Sequence, residues 1–506
     1  MSRRTTEAMA IRKNKQSEQP DRNIKSSASS NKKSNRRILG MIYVFAFLFF
    51  GMIGYMVYFI GFQAEGLMGN PYNARMDVFN DRYVRGSILS ADGQILARTD
   101  VDADGKETRV YPYGTLFAHA IGYSTKGKTG LESAANFYLM KSNQNPLFQV
   151  YNELTETKSQ GDNVVSTLNL GLQQVAAKAL GDRNGAVIAM EPSTGRILAM
   201  VSNPTYDPNT VVEDWSALTA ESNTGGNLVN RATQGLYPPG STFKIVMALE
   251  YMREHPGDWQ NFQFDCDGEY VDPENEKYVV HCFDGEVHGA ETLETAFANS
   301  CNSAFAKIGT EINKTKLREL AEALMFNQDL PIAISSSKSR FNVDSSSDTW
   351  TMMQSAIGQG TTMMSPLHNL LITAAIANGG VLKEPVMLDR VESVDGKTIQ
   401  TFGDGAEQKL MSAEEASTIG GFMRKVVTIG TASKLRTDAY AAAGKTGSAE
   451  YTEGGKTKTD AWFTGFAPYD HPEIAVCVVV EDGETGGRTA APIARAVFDY
   501  WLTERS

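Results

Sequence analysis

The longest apolar stretch of the chain is ILGMIYVFAFLFFGMIGYMVYFIGF, 25 residues from Ile38 to Phe62 without one charged side chain. A helix of that length rises about 37 Å at about 1.5 Å per residue, enough to cross a hydrocarbon core of roughly 30 Å with some tilt. A cleaved leader has an apolar part of about 7–15 residues followed by a small-residue cleavage site. Phe62-Gln63-Ala64-Glu65-Gly66 makes a poor site of that kind. An uncleaved anchor over residues 38–62 is therefore expected.

Beyond the anchor the patterning is shorter in range. Arg85 to Leu89 and Ala91 to Ala97 read as two strands around an Asp92-Gly93 turn. Asn163 to Thr167 reads as a strand, and Leu170 to Leu180 has helical apolar spacing. The β-rich runs Gly185 to Met190 and Gly195 to Val201 flank Glu191-Pro192-Ser193-Thr194 and predict a hairpin. Helices are predicted over 241–253, 290–327 and 366–378, then strands over Ala461–Phe466 and Ile474–Val480, then a closing helix from Ala490 to Trp501. Strands at both ends with helices between them imply an α/β fold of the α+β type, one sheet assembled from distant segments beside a helical lobe. The expected organisation is a tail over 1–37, the anchor over 38–62, a small β-rich pedestal over 63–160 and a larger domain over 161–506.

Charge orients the anchor. Residues 1–37 hold eleven Lys/Arg and three Asp/Glu, a net +8, and the whole chain of 506 residues stands at −11, which leaves −19 for residues 63–506. Positive flanks stay in the cytoplasm, so the larger part is expected outside the membrane. An ectodomain this acidic argues against a nucleic-acid partner. Four cysteines follow the anchor. Cys266 and Cys282 bracket a loop or hairpin and can pair in an oxidising compartment or stay as thiols. A metal pair is the third alternative there, and it lacks two further ligands at finger-like spacing; no metal is assigned to the site. Cys301 and Cys477 read as buried small residues.

Three short motifs carry the chemistry. Ser241-Thr242-Phe243-Lys244 follows Tyr237-Pro238-Pro239-Gly240; Ser300-Cys301-Asn302 and Lys445-Thr446-Gly447-Ser448 come later. Ser-x-x-Lys alone is weak, since it recurs at Ser29/Lys32, Ser30/Lys33 and Ser335/Lys338, and Lys128-Thr129-Gly130 is a decoy of the third motif. In the first motif the prolines and Gly240 stop the preceding structure, and Ser241 is expected as an N-cap-like helix start. Phe243, Ile245, Val246, Met247, Ala248, Leu249 and Met252 make the helix apolar on most faces, so it is buried. Lys244 is then an amine in dry surroundings, where desolvation and a nearby Lys445 lower its pKa and fit it to take the proton of Ser241. Ser300 is a candidate proton relay and Asn302 a candidate donor to a substrate amide. Lys445 would set the field, Thr446 and Ser448 would bind a terminal carboxylate, and Gly447 would let a ligand backbone approach. The backbone N–H groups of Ser241 and Ser448 are the candidate oxyanion hole.

In this order the motifs resemble those of penicillin-binding proteins and serine β-lactamases. Asn230 to Gln234, Gly358-Gln359-Gly360, Ser365-Pro366-Leu367 and Asp460-Ala461-Trp462-Phe463 are similar to the transpeptidase domain of class B penicillin-binding proteins, over roughly residues 160–500. Arg85-Gly86 resembles that family's membrane-proximal pedestal. The resemblance implies a transpeptidase/β-lactamase-like antiparallel sheet flanked by helices, and a D,D-transpeptidase without a cofactor that cross-links peptidoglycan stem peptides ending in D-alanyl-D-alanine. It also implies acylation by β-lactams and work beside a SEDS-family glycan polymerase. Cys301, Ser448 in place of the common Thr and His368 in place of the usual Gln are departures. A D,D-carboxypeptidase or β-lactamase-type hydrolase is the first alternative, and a scaffold or β-lactam sensor the second. Of the Glu/Asn pairs spaced for a deacylating water, Glu132/Asn136 lies upstream of Ser241, in the pedestal.

Overall fold

The structure is a computed structural model and describes residues 27–59, 83–144, 152, 154, 155, 157–453 and 455–505. It divides into two units, Met1–Met68 and Gly69–Ser506. The first contains a helix, Ser27–Tyr58, whose part Ile38–Tyr58 has a mean hydropathy of 2.1 and is long and apolar enough to cross a membrane. Its large side chains, Phe45, Phe47 and Phe50 among them, are exposed rather than packed into a protein core. The end expected at Phe62, most of the basic tail and the first part of the expected pedestal lie outside the described residues.

The second unit contains a five-stranded antiparallel sheet in the order Ala443–Glu453, Lys456–Ala467, Ile474–Val480, Gly185–Met190, Ile197–Asn203. The predicted hairpin and both late strands are all in it. Ile474–Val480 (IAVCVVV) is buried at every position, which suits β-branched residues in the middle of a covered sheet. Helix Pro366–Ala377 packs on the three central strands, and Leu170–Leu180 and Ala491–Asp499 pack on each other and on the same sheet. The helical lobe holds Lys244–Glu254, Leu293–Ala298, Asn302–Glu311 and Lys314–Ala323. The helix predicted over 290–327 is thus three helices, because the second motif interrupts the first pair and Asn313 caps the third through its side chain.

A six-stranded sheet has the order Thr398–Thr401, Leu388–Glu392, Asn163–Ser166, Ile88–Leu89, Ile95–Val101, Glu107–Val110. Ile88–Leu89 pairs in parallel with Asn163–Ser166, so strands from far along the chain complete the sheet that the early segments begin.

Beside that sheet Glu132 is fully buried. Its carboxylate accepts from Arg85 Nε at 2.6 Å, Arg109 Nε at 2.7 Å and the Tyr111 hydroxyl at 3.2 Å. Arg85 also donates to the Glu132 carbonyl and to Asn136 Oδ1. Burial pushes the Glu132 pKa up, but the two guanidiniums outweigh it and hold the group below its ordinary value. The Glu132/Asn136 pair is therefore the centre of an ion-pair network. Glu132→Ala leaves two buried guanidiniums without a counter-charge and is expected to cost about 3–5 kcal/mol, read as a lowered denaturation midpoint of the detergent-solubilised chain. An unchanged midpoint would contradict this account. Since the folded pKa is depressed, the stabilisation is present above the unfolded carboxylate pKa and is lost as pH falls through the folded value.

Candidate active site

The first motif starts from a constrained turn. Gly240 sits at φ +52°, its N–H donates to Gly358 O at 2.9 Å, and Trp462 Nε1 donates to Pro238 O at 3.0 Å. Thr242 Oγ1 donates to Pro239 O and accepts from Asn369 Nδ2. Ser241 lies inside a 3-10 turn, Gly240–Phe243, and the α-helix begins only at Lys244. The N-cap role expected for Ser241 is not observed: the tight turn consumes that position, and the side chain is half-buried at the edge of the cleft. Lys244 through Met252 are all buried, as the apolar pattern requires.

The second motif is a junction between helices Leu293–Ala298 and Asn302–Glu311. Ser300 occupies the left-handed region at φ +60°, a conformation that costs an ordinary residue about 1–3 kcal/mol and persists only where its surroundings enforce it. The Ser300 N–H donates to Phe297 O, the Cys301 N–H donates to Ala296 O at 2.9 Å, and Lys244 Nζ donates to Ser300 O at 2.6 Å. Asn302 accepts from Lys244 Nζ at 2.8 Å and donates to His281 O at 3.1 Å.

The third motif runs along the edge strand Ala443–Glu453, with Lys445 opposite Thr464 and Ser448 opposite Ala461. Lys445 is fully buried and its Nζ donates to Ser300 Oγ at 2.9 Å. Thr446 Oγ1 is hydrogen-bonded to Thr431 Oγ1, and Ser448 Oγ accepts from Gly486 N at 3.3 Å. The strand packs on the first motif's turn, where a Cβ on Gly447 would come 3.0 Å from Pro239 O. Gln359, with its amide turned to match, donates to Glu450 O at 3.2 Å and accepts from Glu450 N at 3.0 Å, holding the far end of the strand.

Ser241, Ser300, Asn302, Thr446, Gly447 and Ser448 line one cleft of about 480 Å³. Lys244 and Lys445 stand behind it as two buried amines on either side of Ser300 Oγ, at 3.4 and 2.9 Å. Burial brings Lys244 down to about 8, against the pull of the Cys301 and Cys282 thiols. Burial, with the neighbouring Lys244, pushes Lys445 well below its ordinary value. Among the described residues no hydrogen bond joins Ser241 Oγ to Lys244 Nζ. The lysine reaches instead to the carbonyl of Ser300 and the amide of Asn302, which are stronger acceptors than a hydroxyl. A neutral amine has two protons, and these two acceptors take both, which leaves its lone pair free.

Near Cys266 and Cys282 the fold supplies neighbours that stand at no finger-like spacing along the chain. Folding brings His288 and Cys301 to them, and the four ligand atoms lie within 4.8 Å of one another. The four come from two strand ends, a loop and a helix junction, so no spacing along the chain marks them. Arg231, within the Asn230–Gln234 run that resembles the family, is buried. Its Nε donates to Glu481 at 2.7 Å, and Glu481 also accepts from the Tyr237 hydroxyl at 2.8 Å, which ties the approach to the first motif to the sheet.

Residues 185–499 match the family described as penicillin binding protein transpeptidase domain, and residues 85–164 match the penicillin binding protein A dimerisation domain. The chain is 33% identical over 474 residues to the peptidoglycan D,D-transpeptidase PbpA of Mycolicibacterium smegmatis, covering 88% of this chain and 94% of that one. It is 29% identical over 454 residues to the peptidoglycan D,D-transpeptidase MrdA of Acinetobacter baumannii, covering 79% and 66% of the two chains. Its fold is similar to that of penicillin-binding protein A from M. tuberculosis, solved as a ceftriaxone acyl-enzyme complex, with a TM-score of 0.76, 31% identity, and 85% of this chain and all of that one covered. With both segments matched and a relative this similar over nearly its whole length, the chain belongs to the class B penicillin-binding proteins.

Proposed function

We propose that the chain is a peptidoglycan D,D-transpeptidase, anchored by residues 38–62 with its N-terminus in the cytoplasm and its site outside, and that β-lactams acylate it at Ser241. The observation that carries this reading is Ser300 Oγ held between two buried amines, beside a cleft that also holds Ser241 and Ser448. The basic tail and the apolar helix support the orientation. A SEDS-family glycan polymerase is the proposed partner, on the strength of the resemblance.

Each residue then has a step. Neutral Lys244 takes the proton of Ser241 as Oγ bonds to the carbonyl carbon of the penultimate D-alanine. The backbone N–H groups of Ser241 and Ser448 receive the developing oxyanion. Ser300 passes a proton to the leaving nitrogen as the C–N bond breaks and D-alanine departs. Lys445, donating to Ser300 Oγ, leaves that hydroxyl's own proton free for the transfer, and the proton that Lys244 took from Ser241 then replaces it on Ser300 Oγ. Thr446 and Ser448 bind the substrate carboxylate, Gly447 gives its backbone room, and Asn302 holds both Lys244 and the substrate amide. An amine from a neighbouring strand then attacks the ester, an amide C–N bond replaces the ester C–O bond, and Lys244 carries the amine's proton to Ser241 Oγ, which frees the serine. With a β-lactam the cleaved nitrogen remains tethered in the ring remnant.

Labelled penicillin is expected to form a long-lived adduct with the full chain, and Ser241→Ala to abolish it. A wild-type chain that takes no label overturns the reading, and release within seconds favours the hydrolase instead. Lys244→Ala should slow acylation by about 10²–10⁴-fold, the usual contribution of a general base, and Lys244→Arg should fare no better because a guanidinium does not deprotonate.

The pH dependence follows from the neutral amine. Acylation should rise about tenfold per pH unit while Lys244 is mostly protonated and level off above about 8. Stopped-flow acylation at several pH values tests this, and a rate that is flat from pH 6 to 9 on the order of a factor of two would remove Lys244 as the base.

A further inference from the structure

A second cavity, of about 850 Å³, lies among residues 83–158, and the acyl-transfer chemistry does not use it. Among the described residues its walls hold Arg85, Arg109, Lys126, Lys128 and Lys158 against one carboxylate, Glu107. Residues 63–506 stand at −19 in total, so this concave surface reverses the sign of the chain around it. Lys158 Nζ donates to Glu107 at 2.6 Å, and Arg85 and Arg109 share Glu132 behind the wall. Even with Lys128 left aside, four cations meet two carboxylates among the described residues.

One of these cations is incompletely bonded. The Arg109 side chain is 8% exposed. Its Nε donates to Glu132 at 2.7 Å, and Nη1 donates to Gly86 O at 2.7 Å and to Thr99 Oγ1 at 3.0 Å. Nη2 is buried and bonds to nothing among the described residues. A guanidinium carries five N–H donors, so two stay unpaired on a buried charged group, where an unmade bond is expensive. We propose that this cavity binds an oxyanion of the phosphate class, with the Arg109 guanidinium at its inner wall and Lys126 and Lys158 at its exposed rim.

Donor chemistry selects phosphate over carboxylate. A carboxylate is planar and singly charged, and the edge of one guanidinium satisfies it. A phosphate carries more charge and more acceptor oxygens, and it takes donors from several sides at once. Here the donors come from separate elements: Arg109 from strand Glu107–Val110, and Ser124, Thr125 and Lys126 from the loop that follows Tyr123. That loop is closed at its base, where Thr129 N donates to Tyr123 O at 3.2 Å and Tyr123 N donates to Thr129 Oγ1 at 3.3 Å. Ser124 N donates to the Tyr111 hydroxyl at 3.1 Å, and that hydroxyl donates to Glu132. The carboxylate that holds both arginines therefore also fixes the start of the lysine-bearing loop. A free phosphate and the phosphodiester of a lipid headgroup share this chemistry.

The test is calorimetric titration of the full chain in detergent, at constant ionic strength set with chloride. The two probes are inorganic phosphate and glycerophosphoglycerol, the soluble diester headgroup of phosphatidylglycerol. Tighter binding of inorganic phosphate assigns the site to the free ion, and tighter binding of the diester assigns it to the headgroup. The bound probe should also raise the denaturation midpoint as its concentration increases, which chloride alone should not do. Lys126→Ala combined with Lys158→Ala should weaken binding about tenfold or more, because two charge-assisted contacts are lost. Penicillin labelling of that variant should stay unchanged. Arg109→Lys keeps a cation for Glu132 but removes Nη2, and it should also weaken binding about tenfold. Its midpoint without probe reports folding separately, so a destabilised chain is not mistaken for a lost site. Lys307→Ala, which removes a lysine paired with Glu311 in another part of the chain, should bind as the wild type does. Failure of both probes to bind below about 10 mM overturns the proposal. So does binding that is equal in the wild type, the double lysine variant and Arg109→Lys. A chain that binds phosphate and takes no penicillin label sinks the transpeptidase reading alone, and a chain that is labelled but binds neither probe sinks this one alone.

Discussion

The chemistry of this protein depends on two amines buried around one hydroxyl. A buried ammonium is costly, and two side by side are costlier still, so the interior holds them only by lowering their pKa and supplying acceptors. Ser300 supplies both a carbonyl and a hydroxyl, and Asn302 an amide oxygen. The elements around the cleft serve this arrangement: the apolar helix that carries Lys244, the edge strand that carries Lys445, and the helix junction that presents Ser300 in the left-handed region.

That makes the second motif the centre of the site, although it looks the least specific of the three. The first and third motifs are held by ordinary secondary structure, a buried helix and a sheet edge. The second is a junction in an unfavourable backbone conformation, so something must hold it. Hydrogen bonds from Ser300 and Cys301 back to the preceding helix supply part of that, and the sulfur-rich cluster at Cys301 is placed to supply more. A reactive group on a strained junction, supported by packed elements on each side, is a common arrangement where precise placement matters more than local stability.

The Glu132 network gives the same lesson in reverse. Glu132 and Asn136 have the spacing of a hydrolytic pair, yet both oxygens of Glu132 are taken by Arg85, Arg109 and Tyr111. Spacing along the chain identifies which groups can meet on one helix face, but their partners belong to other elements. Around the Cys266/Cys282 pair the case is the opposite, because His288 and Cys301, which join it in the fold, sit in a loop and at a helix junction that no periodicity marks.

Patterns that depend on near neighbours were legible in the sequence. The uncharged apolar run determined a helix long enough to cross a membrane, the β-branched run Ile474–Val480 a buried strand, the apolar ring around Lys244 a buried amine, and the order of the three motifs the family. Each is local, since side chains a few residues apart decide it through burial and backbone preference. Tertiary structure alone decided that Lys244 bonds to Ser300 and Asn302 and not to Ser241, that Ser241 lies in a 3-10 turn, that strands Asn163–Ser166 and Leu388–Glu392 complete the sheet begun at Ile88, and that three cysteines and a histidine converge. Those outcomes are set by which distant acceptor offers a buried donor the better bond and by which surfaces remain to be covered, and neither is written in the spacing of residues along the chain.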